Sequence, residues 1–146
     1  MAKKLGNDYL VWLESSTTPG TYNLVKGQQS VSISRDAGSI DTTTKDEAGY
    51  GTSAPGLKSL KISLDTIPNL PDATGYTALE TACSAAPAVP FNIQIRKGGA
   101  AGATADAVFQ GLVYGNISST EFGQNDAVKA KVEFTSAAAP VTDKLA

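Results

Sequence analysis

The chain has 146 residues, the length of a single domain, with 12 basic and 14 acidic side chains for a net charge of −2. It contains no histidine and one cysteine, Cys83, which excludes His-based triads and bases, internal disulfides, and Cys or His clusters for zinc or iron–sulfur. No apolar run approaches the roughly 20 residues of a membrane-crossing helix, and the charge balance lacks the positive surplus of tight phosphate binding.

A chain this long can bury roughly 70% of its extended surface. The composition shapes that core: 21 residues are Ala, 28 are Ser or Thr, 14 are Gly and 7 are Pro. Short strands and many turns are expected rather than a helical bundle. Met1-Ala-Lys-Lys-Leu5 reaches Asp8 before a signal-peptide core can form. A soluble domain made in a reducing compartment is the expectation.

In chain order, Asp8 to Glu14 is a strand, with Tyr9, Val11 and Leu13 on one face and Leu10 and Trp12 on the other. A Ser/Thr-Pro-Gly turn follows, then a second strand over Thr21–Lys26, broken by Gly27. Gln29 to Arg35 alternates, Val31 and Ile33 inward and Ser30, Ser32 and Ser34 outward. Residues 36–56 hold only Ile40 and Tyr50 as large apolar groups. A short strand near Ile40–Thr43 is expected within an otherwise long loop, and loops of that length are usually functional or disordered.

Alternation resumes over Leu57–Asp65, with Leu60, Ile62 and Leu64 inward and Lys61, Ser63 and Asp65 outward. The one helix is expected at about residues 73–85, capped by Asp72 with a Thr77…Glu80 capping box a turn later. Its stripe is Tyr76, Leu79 and Cys83, and Pro87 and Pro90 stop it. Phe91–Arg96 alternates with Phe91, Ile93 and Ile95 inward; Lys97–Thr104 is a flexible loop. Val108–Ser118 is apolar on both faces, with Gly111 and Gly115 marking close approach. A turn at Phe122–Asp126 leads to an alternating strand, Ala127–Thr135, and residues 137–146 form a flexible or inter-subunit tail.

The pattern predicts a single mainly-β domain over residues 1–146. Its architecture would be two antiparallel sheets packed as a β-sandwich or partly closed barrel, with one α-helix on a rim.

The candidates for chemistry each have a plainer structural explanation. Cys83 lies on a helical stripe between alanines and lacks an activating histidine, so it reads as a small buried hydrophobe. Asp36, Asp41, Asp46 and Glu47 crowd one loop, but their spacing is not that of a calcium loop. Gly98-Gly99-Ala-Ala-Gly102 lacks the Lys-Ser/Thr and the helix of a phosphate loop. Asn116-Ile117-Ser118 is a glycosylation sequon only if the chain is secreted. Trp12, among aliphatics, reads as core or interface. No enzymatic activity, cofactor or metal is expected.

Two features call for more than a monomer. Strands 8–14 and 108–118 are apolar on both faces, and the long polar loop is costly unless something orders it. Identical copies packed side by side would cover both, as rings or filaments.

The run Ile40-Asp41-Thr42-Thr43-Thr44-Lys45-Asp46-Glu47-Ala48-Gly49-Tyr50, then Pro55-Gly56-Leu57-Lys58-Ser59, resembles the major tail proteins of long-tailed bacteriophages and gene transfer agents. The opening Gly6-Asn-Asp-Tyr-Leu-Val-Trp12 and the stretch from Phe109-Gln-Gly111 through Val132-Glu-Phe-Thr-Ser136 to Thr142 are similar too. Thr42 stands where Val is commoner, and Ala137-Ala-Ala139 replaces a usual Gly. The resemblance implies a structural subunit of a tail tube: hexameric rings stacked as a hollow tube, part of each sheet lining the lumen, with DNA as transient cargo.

The same resemblance implies that Ile40, Asp41, Thr42, Thr43, Thr44, Lys45, Asp46, Glu47, Gly49 and Tyr50 reach an adjacent subunit or ring. A conduit must not trap its cargo, so the small, polar, near-neutral faces Ser30/Ser32/Ser34 and Lys61/Ser63/Asp65 are candidates for the lumen. Expected partners are further copies of the chain and the tape-measure, tail terminator and baseplate proteins, in a virion tail assembled in the host cytoplasm. Competing readings are a tube protein of a related secretion machine and an immunoglobulin-like surface-binding module.

Overall fold

A computed structural model describes residues 6–46 and 49–144 (for Asn7, backbone only). The strands are β1 (Leu10–Glu14), β2 (Tyr22–Leu24), β3 (Gln28–Asp41), β4 (Ser53–Thr66), β5 (Phe91–Arg96), β6 (Ala107–Glu121), β7 (Lys129–Ser136) and β8 (Thr142–Asp143). A helix, α1 (Tyr76–Cys83), separates β4 from β5. The expected mainly-β architecture with one helix is present, but its two layers belong to a single antiparallel sheet in the order β2-β1-β5-β6-β7-β4-β3.

The reason lies in β6. Its first half pairs with β5, from Arg96↔Ala107 to Phe91↔Val113, and its second half with β7, from Val113↔Ser136 to Glu121↔Lys129. One 15-residue strand thereby passes from one layer to the other. The sheet curls around a core in which Val11, Ile62, Leu64, Ile93, Val113, Val132 and Phe134 are all buried. Where the curl nearly closes, the Gln28 side chain stands in for a strand. Its Nε2 donates to the carbonyls of Val11 (2.8 Å) and Val25 (2.7 Å), and its Oε1 accepts from the Val11 N–H (2.8 Å).

The excursion expected over residues 36–56 is mostly strand. β3 and β4 pair with bulges from Gln28↔Thr66 out to Asp41↔Ser53, leaving only 42–52 as the connecting tip. Apolar periodicity could not reveal this hairpin. Its outer half packs on no core, so small and polar residues predominate, Ile40 and Leu57 stay exposed, and the backbone ladder is its main support.

The helix is also shorter than 73–85. Gly75 occupies the N-cap position, and Thr77 and Glu80 lie inside the helix rather than forming a capping box. Asp72 still serves the helix start, from outside the cap: its Oδ2 accepts from the N–H groups of Tyr76 (3.0 Å) and Lys26 (3.0 Å), tying α1 to the end of β2.

Gln94 and Arg96, expected to face outward, are buried. The Arg96 guanidinium lies 4.4 Å from the Trp12 ring centroid and 5.6 Å from that of Tyr22. Its Nε donates to Gln94 Oε1 (2.7 Å), Nη1 to the Gly102 carbonyl (3.2 Å) and Nη2 to Thr104 Oγ1 (3.3 Å). The segment Lys97–Thr104, read from sequence as a flexible loop, instead belongs to two short 3₁₀ turns, Gly99–Ala101 and Thr104–Asp106, folded back onto the strands. Arg96 thus covers part of the second face of β1, at Trp12, from within the chain.

The segment after β7 also stays on the sheet. Ala137 N–H donates to Leu112 O (2.9 Å), Val141 N–H to Gln110 O (2.8 Å) and Lys144 N–H to Val108 O (2.8 Å), so β8 continues the line of β7 along β6. Close approaches fall where Gly111 and Gly115 suggested. A Cβ on Gly115 would come within 2.6 Å of the Phe91 ring and 2.7 Å of Cys83 Sγ.

Candidate functional site

The register of β3, β4, β7 and β6 builds one exposed polar face. Ser30, Ser32 and Ser34 pair with Asp65, Ser63 and Lys61. Those three pair in turn with Lys131, Glu133 and Thr135, and these with Ser119, Asn116 and Tyr114. Three rows of four side chains result, at right angles to the strands. All six residues expected at a lumen from sequence share this face. Lys131, Glu133 and Thr135 were not proposed, although the inward alternation of Ala130, Val132 and Phe134 already implied them.

The face is close to electroneutral, with Lys61 and Lys131 balanced by Asp65 and Glu133. Lys61 Nζ lies 3.4 Å from Glu133 Oε2, and Ser30 Oγ donates to Asp65 Oδ2 (3.1 Å). Tyr114, 41% exposed, is its one large apolar group. Among the described residues, neither lateral edge of this four-stranded unit is paired with a further strand. β3 ends the sheet order, and β6 beyond Val113 has lost β5 and keeps only β7. Free edges on an otherwise satisfied sheet are templates for a further strand.

The second candidate group sits at the tip of the β3–β4 hairpin. Thr42 N–H donates to Thr52 O (3.0 Å), Thr43 Oγ1 to the same carbonyl (3.1 Å), and the Thr52 N–H to Thr43 Oγ1 (2.8 Å). Asp41 Oδ1 accepts from the Thr43 N–H (2.9 Å), and hydrogen bonds from the Thr43 side chain and backbone hold this carboxyl below its ordinary pKa. Thr44, Lys45, Asp46 and Gly49 are exposed beyond this Thr-built clip. Glu47 lies outside the described residues. Ile40, Tyr50 and Leu57 are 57%, 80% and 93% exposed, an apolar series on an arm with no core of its own.

Among the described residues, no group of three or more His, Cys, Asp or Glu side chains could hold a metal ion. Burial pushes the Cys83 thiol up to about 11, which keeps it protonated near neutral pH. None of the described helices is long and apolar enough to cross a membrane.

The eight-stranded sheet thus presents a broad polar face flanked, among the described residues, by the open strands β3 and the outer half of β6. A model of the phage tail tube protein family matches residues 3–142. The chain belongs to that family and is a structural tail tube subunit.

Solved structures with similar folds include the tail of an empty gene transfer agent particle, refined helically with C6 symmetry. That match has a TM-score of 0.74 at 18% identity over 96% of this chain and 98% of that one. The SPP1 tail tube is similar at TM-score 0.63 and 14% identity, covering 92% of this chain and 76% of that one. A chain of the six-fold symmetrised anti-feeding prophage baseplate aligns at TM-score 0.61 and 11% identity, over 99% of each chain. A comparison with curated protein sequences finds no match.

Proposed function

We propose that six copies of this chain join edge to edge into a ring and that rings stack into a tube whose lumen conducts DNA. The observation that carries this reading is the polar β3-β4-β7-β6 face with an open edge at each side. Through three antiparallel pairings, β3 and β6 run in opposite directions. The outer half of β6 in one copy therefore meets β3 of the next as a further antiparallel pair, and the ring closes without a strand left over. Six copies contribute about 24 strands spaced about 4.8 Å apart, a barrel about 37 Å across before strand tilt widens it. That bore passes a DNA duplex. The C6 symmetry of the gene transfer agent tail supports the ring number.

On this reading the Ser30/Ser32/Ser34 and Lys61/Ser63/Asp65 rows line the bore, where balanced charge holds no phosphate backbone. The arm, with Ile40 and Tyr50, projects past the end of the sheet and reaches a neighbouring subunit or ring. Tail terminator, tape-measure and baseplate proteins would then meet the two ends of the stack. The chain would act in the virion tail without catalysis, after assembly in the host cytoplasm. The likeness to an anti-feeding prophage baseplate chain favours, as a second reading, the same ring in a related particle.

Negative-stain microscopy of the purified chain, concentrated in steps, tests the proposal. Hollow tubes of uniform width are expected, and a chain that stays monomeric at high concentration contradicts it.

A further inference from the structure

Where β4 and β7 part, the structure forms a cleft. Their pairing stops at Lys61↔Thr135. Beyond that point β3 and β4 run on as the arm, while the chain after Ser136 turns away to follow β6. The wedge between them has a volume of about 630 Å³. Its floor is Leu60, and its walls are Ala37 and Lys58 on the arm against Ala137–Pro140 on the C-terminal segment. A two-pronged clasp from the Arg35 guanidinium to the Asp143 carboxylate joins the walls, with Nε donating to Oδ2 at 2.9 Å.

At the opposite end of β7, about 27 Å away along eight residues, lies the β6–β7 turn. Its Phe122 is 80% exposed amid Gly123, Gln124, Asn125 and Asp126. Subunits stacked by translation along the tube bring unlike ends together. The turn of one ring then arrives at the cleft end of the next.

The two surfaces each carry an acid and a base. The cleft is lined largely by Ala37, Leu60, Ala137–Ala139 and Pro140, and Asp36 and Lys58 border it, neither in an ion pair among the described residues. The turn is flanked by the facing pair Glu121 and Lys129. Lys129 makes only an exposed contact to Asp126 at 3.6 Å, which leaves it able to exchange partners.

We infer that the Phe122 turn of each subunit seats in the arm–tail cleft of a subunit in the next ring, with Glu121 toward Lys58 and Lys129 toward Asp36. The arm then overlaps the neighbouring ring while the cleft behind it takes up that ring's turn. This inference rests on the tube reading and adds the contact that holds successive rings together.

The test uses Phe122→Ala, Lys58→Glu, Glu121→Lys and the Lys58→Glu/Glu121→Lys double variant in the full chain. Circular dichroism checks that each folds. Native mass spectrometry reads ring formation, and negative-stain microscopy with sedimentation reads stacking. Each single variant should form rings but require about tenfold higher protein concentration, or more, to stack, the loss expected for a contact at an interface centre. The double variant should recover stacking. Single variants that stack like wild type overturn the inference, as does a double variant that fails to recover. Neither result touches the tube reading, which is tested instead by whether the wild-type chain makes rings and tubes.

Discussion

Arg96 and Gly27 show how single residues set this fold against what their immediate sequence suggests. Arg96 closes a strand that alternates cleanly, so it reads as solvent-facing, yet its guanidinium is buried between Trp12 and the 97–106 segment. Replacing it with Ala strips donors from Gln94, Gly102 and Thr104 and uncovers Trp12. A loss of about 2–3 kcal/mol is expected in denaturant unfolding, with proteolytic cutting in 97–106 as a local sign. Lys at this position should recover only part, since it lacks the planar fork. Gly27 has φ +83°, and a Cβ there would meet the Ile67 carbonyl oxygen at 2.0 Å. Gly27→Ala should therefore cost more than the about 1 kcal/mol of an ordinary Gly-to-Ala mismatch, read as a lowered unfolding midpoint. The sequence marked Gly27 as a strand breaker, but its contact with a carbonyl 40 residues on is a tertiary fact.

At the scale of elements, the outer arm is held by the pairing of β3 with β4, and the C-terminal segment by its bonds to β6. Asp41 and Ser53 are direct cross-strand partners, so residues 42–52 can be replaced by a two-residue Asn-Gly turn without disturbing the ladder. The unfolding midpoint should stay within about 0.5 kcal/mol of wild type, since no core is touched. Tube growth by this variant should be lost, and normal growth would remove the arm from the assembly.

The C-terminal segment is held by its backbone bonds to β6 and, in addition, by the Arg35–Asp143 clasp. A hydrogen bond from Arg35 holds the Asp143 carboxyl below its ordinary pKa, and the same contact raises that of Arg35. Because the folded-state value is depressed, the clasp's contribution is complete above the ordinary carboxylate range of about 3.9 and is lost as pH falls through the lower folded value. NMR titration of the Asp143 carboxyl should give a midpoint below that range, and Arg35→Ala should move it back up.

Legibility divides along the same lines. β1, β4, β5 and β7 were readable because each lays alternating Val, Ile, Leu or Phe against the core. The outer halves of β3 and β4 were not, because their strand character comes from pairing rather than burial. Nor could alternation tell two stacked sheets from one curled sheet. That distinction rests on β6 changing partners at Val113.

For the whole molecule, the proposed tube would have a bore lined by the polar β3-β4-β7-β6 face. Lys61, Lys131, Asp65 and Glu133 cancel on a face otherwise made of Ser, Thr, Asn and Tyr114. Ser63 sits mid-row, and Ser63→Arg would add one cation per subunit to every ring. Tubes should still form, but they should retain DNA in a salt-sensitive way, measurable by co-sedimentation across a salt series. Tubes that ignore DNA at low salt would place this face elsewhere. The candidate lumen rows were legible as polar alternation in β3 and β4, whereas their extension across β7 to Asn116 and Tyr114 needed the pairing register.

The central claim is that this sheet is completed by sister copies at β3 and at residues 114–121 of β6. Hydrogen exchange on dispersed subunits and on assembled tubes measures it directly. Assembly should slow exchange in those two edges together, while the backbone of β5, already paired on both sides, stays as it was. Edges that keep exchanging freely in assembled tubes, with new protection appearing along β2 instead, would contradict the account.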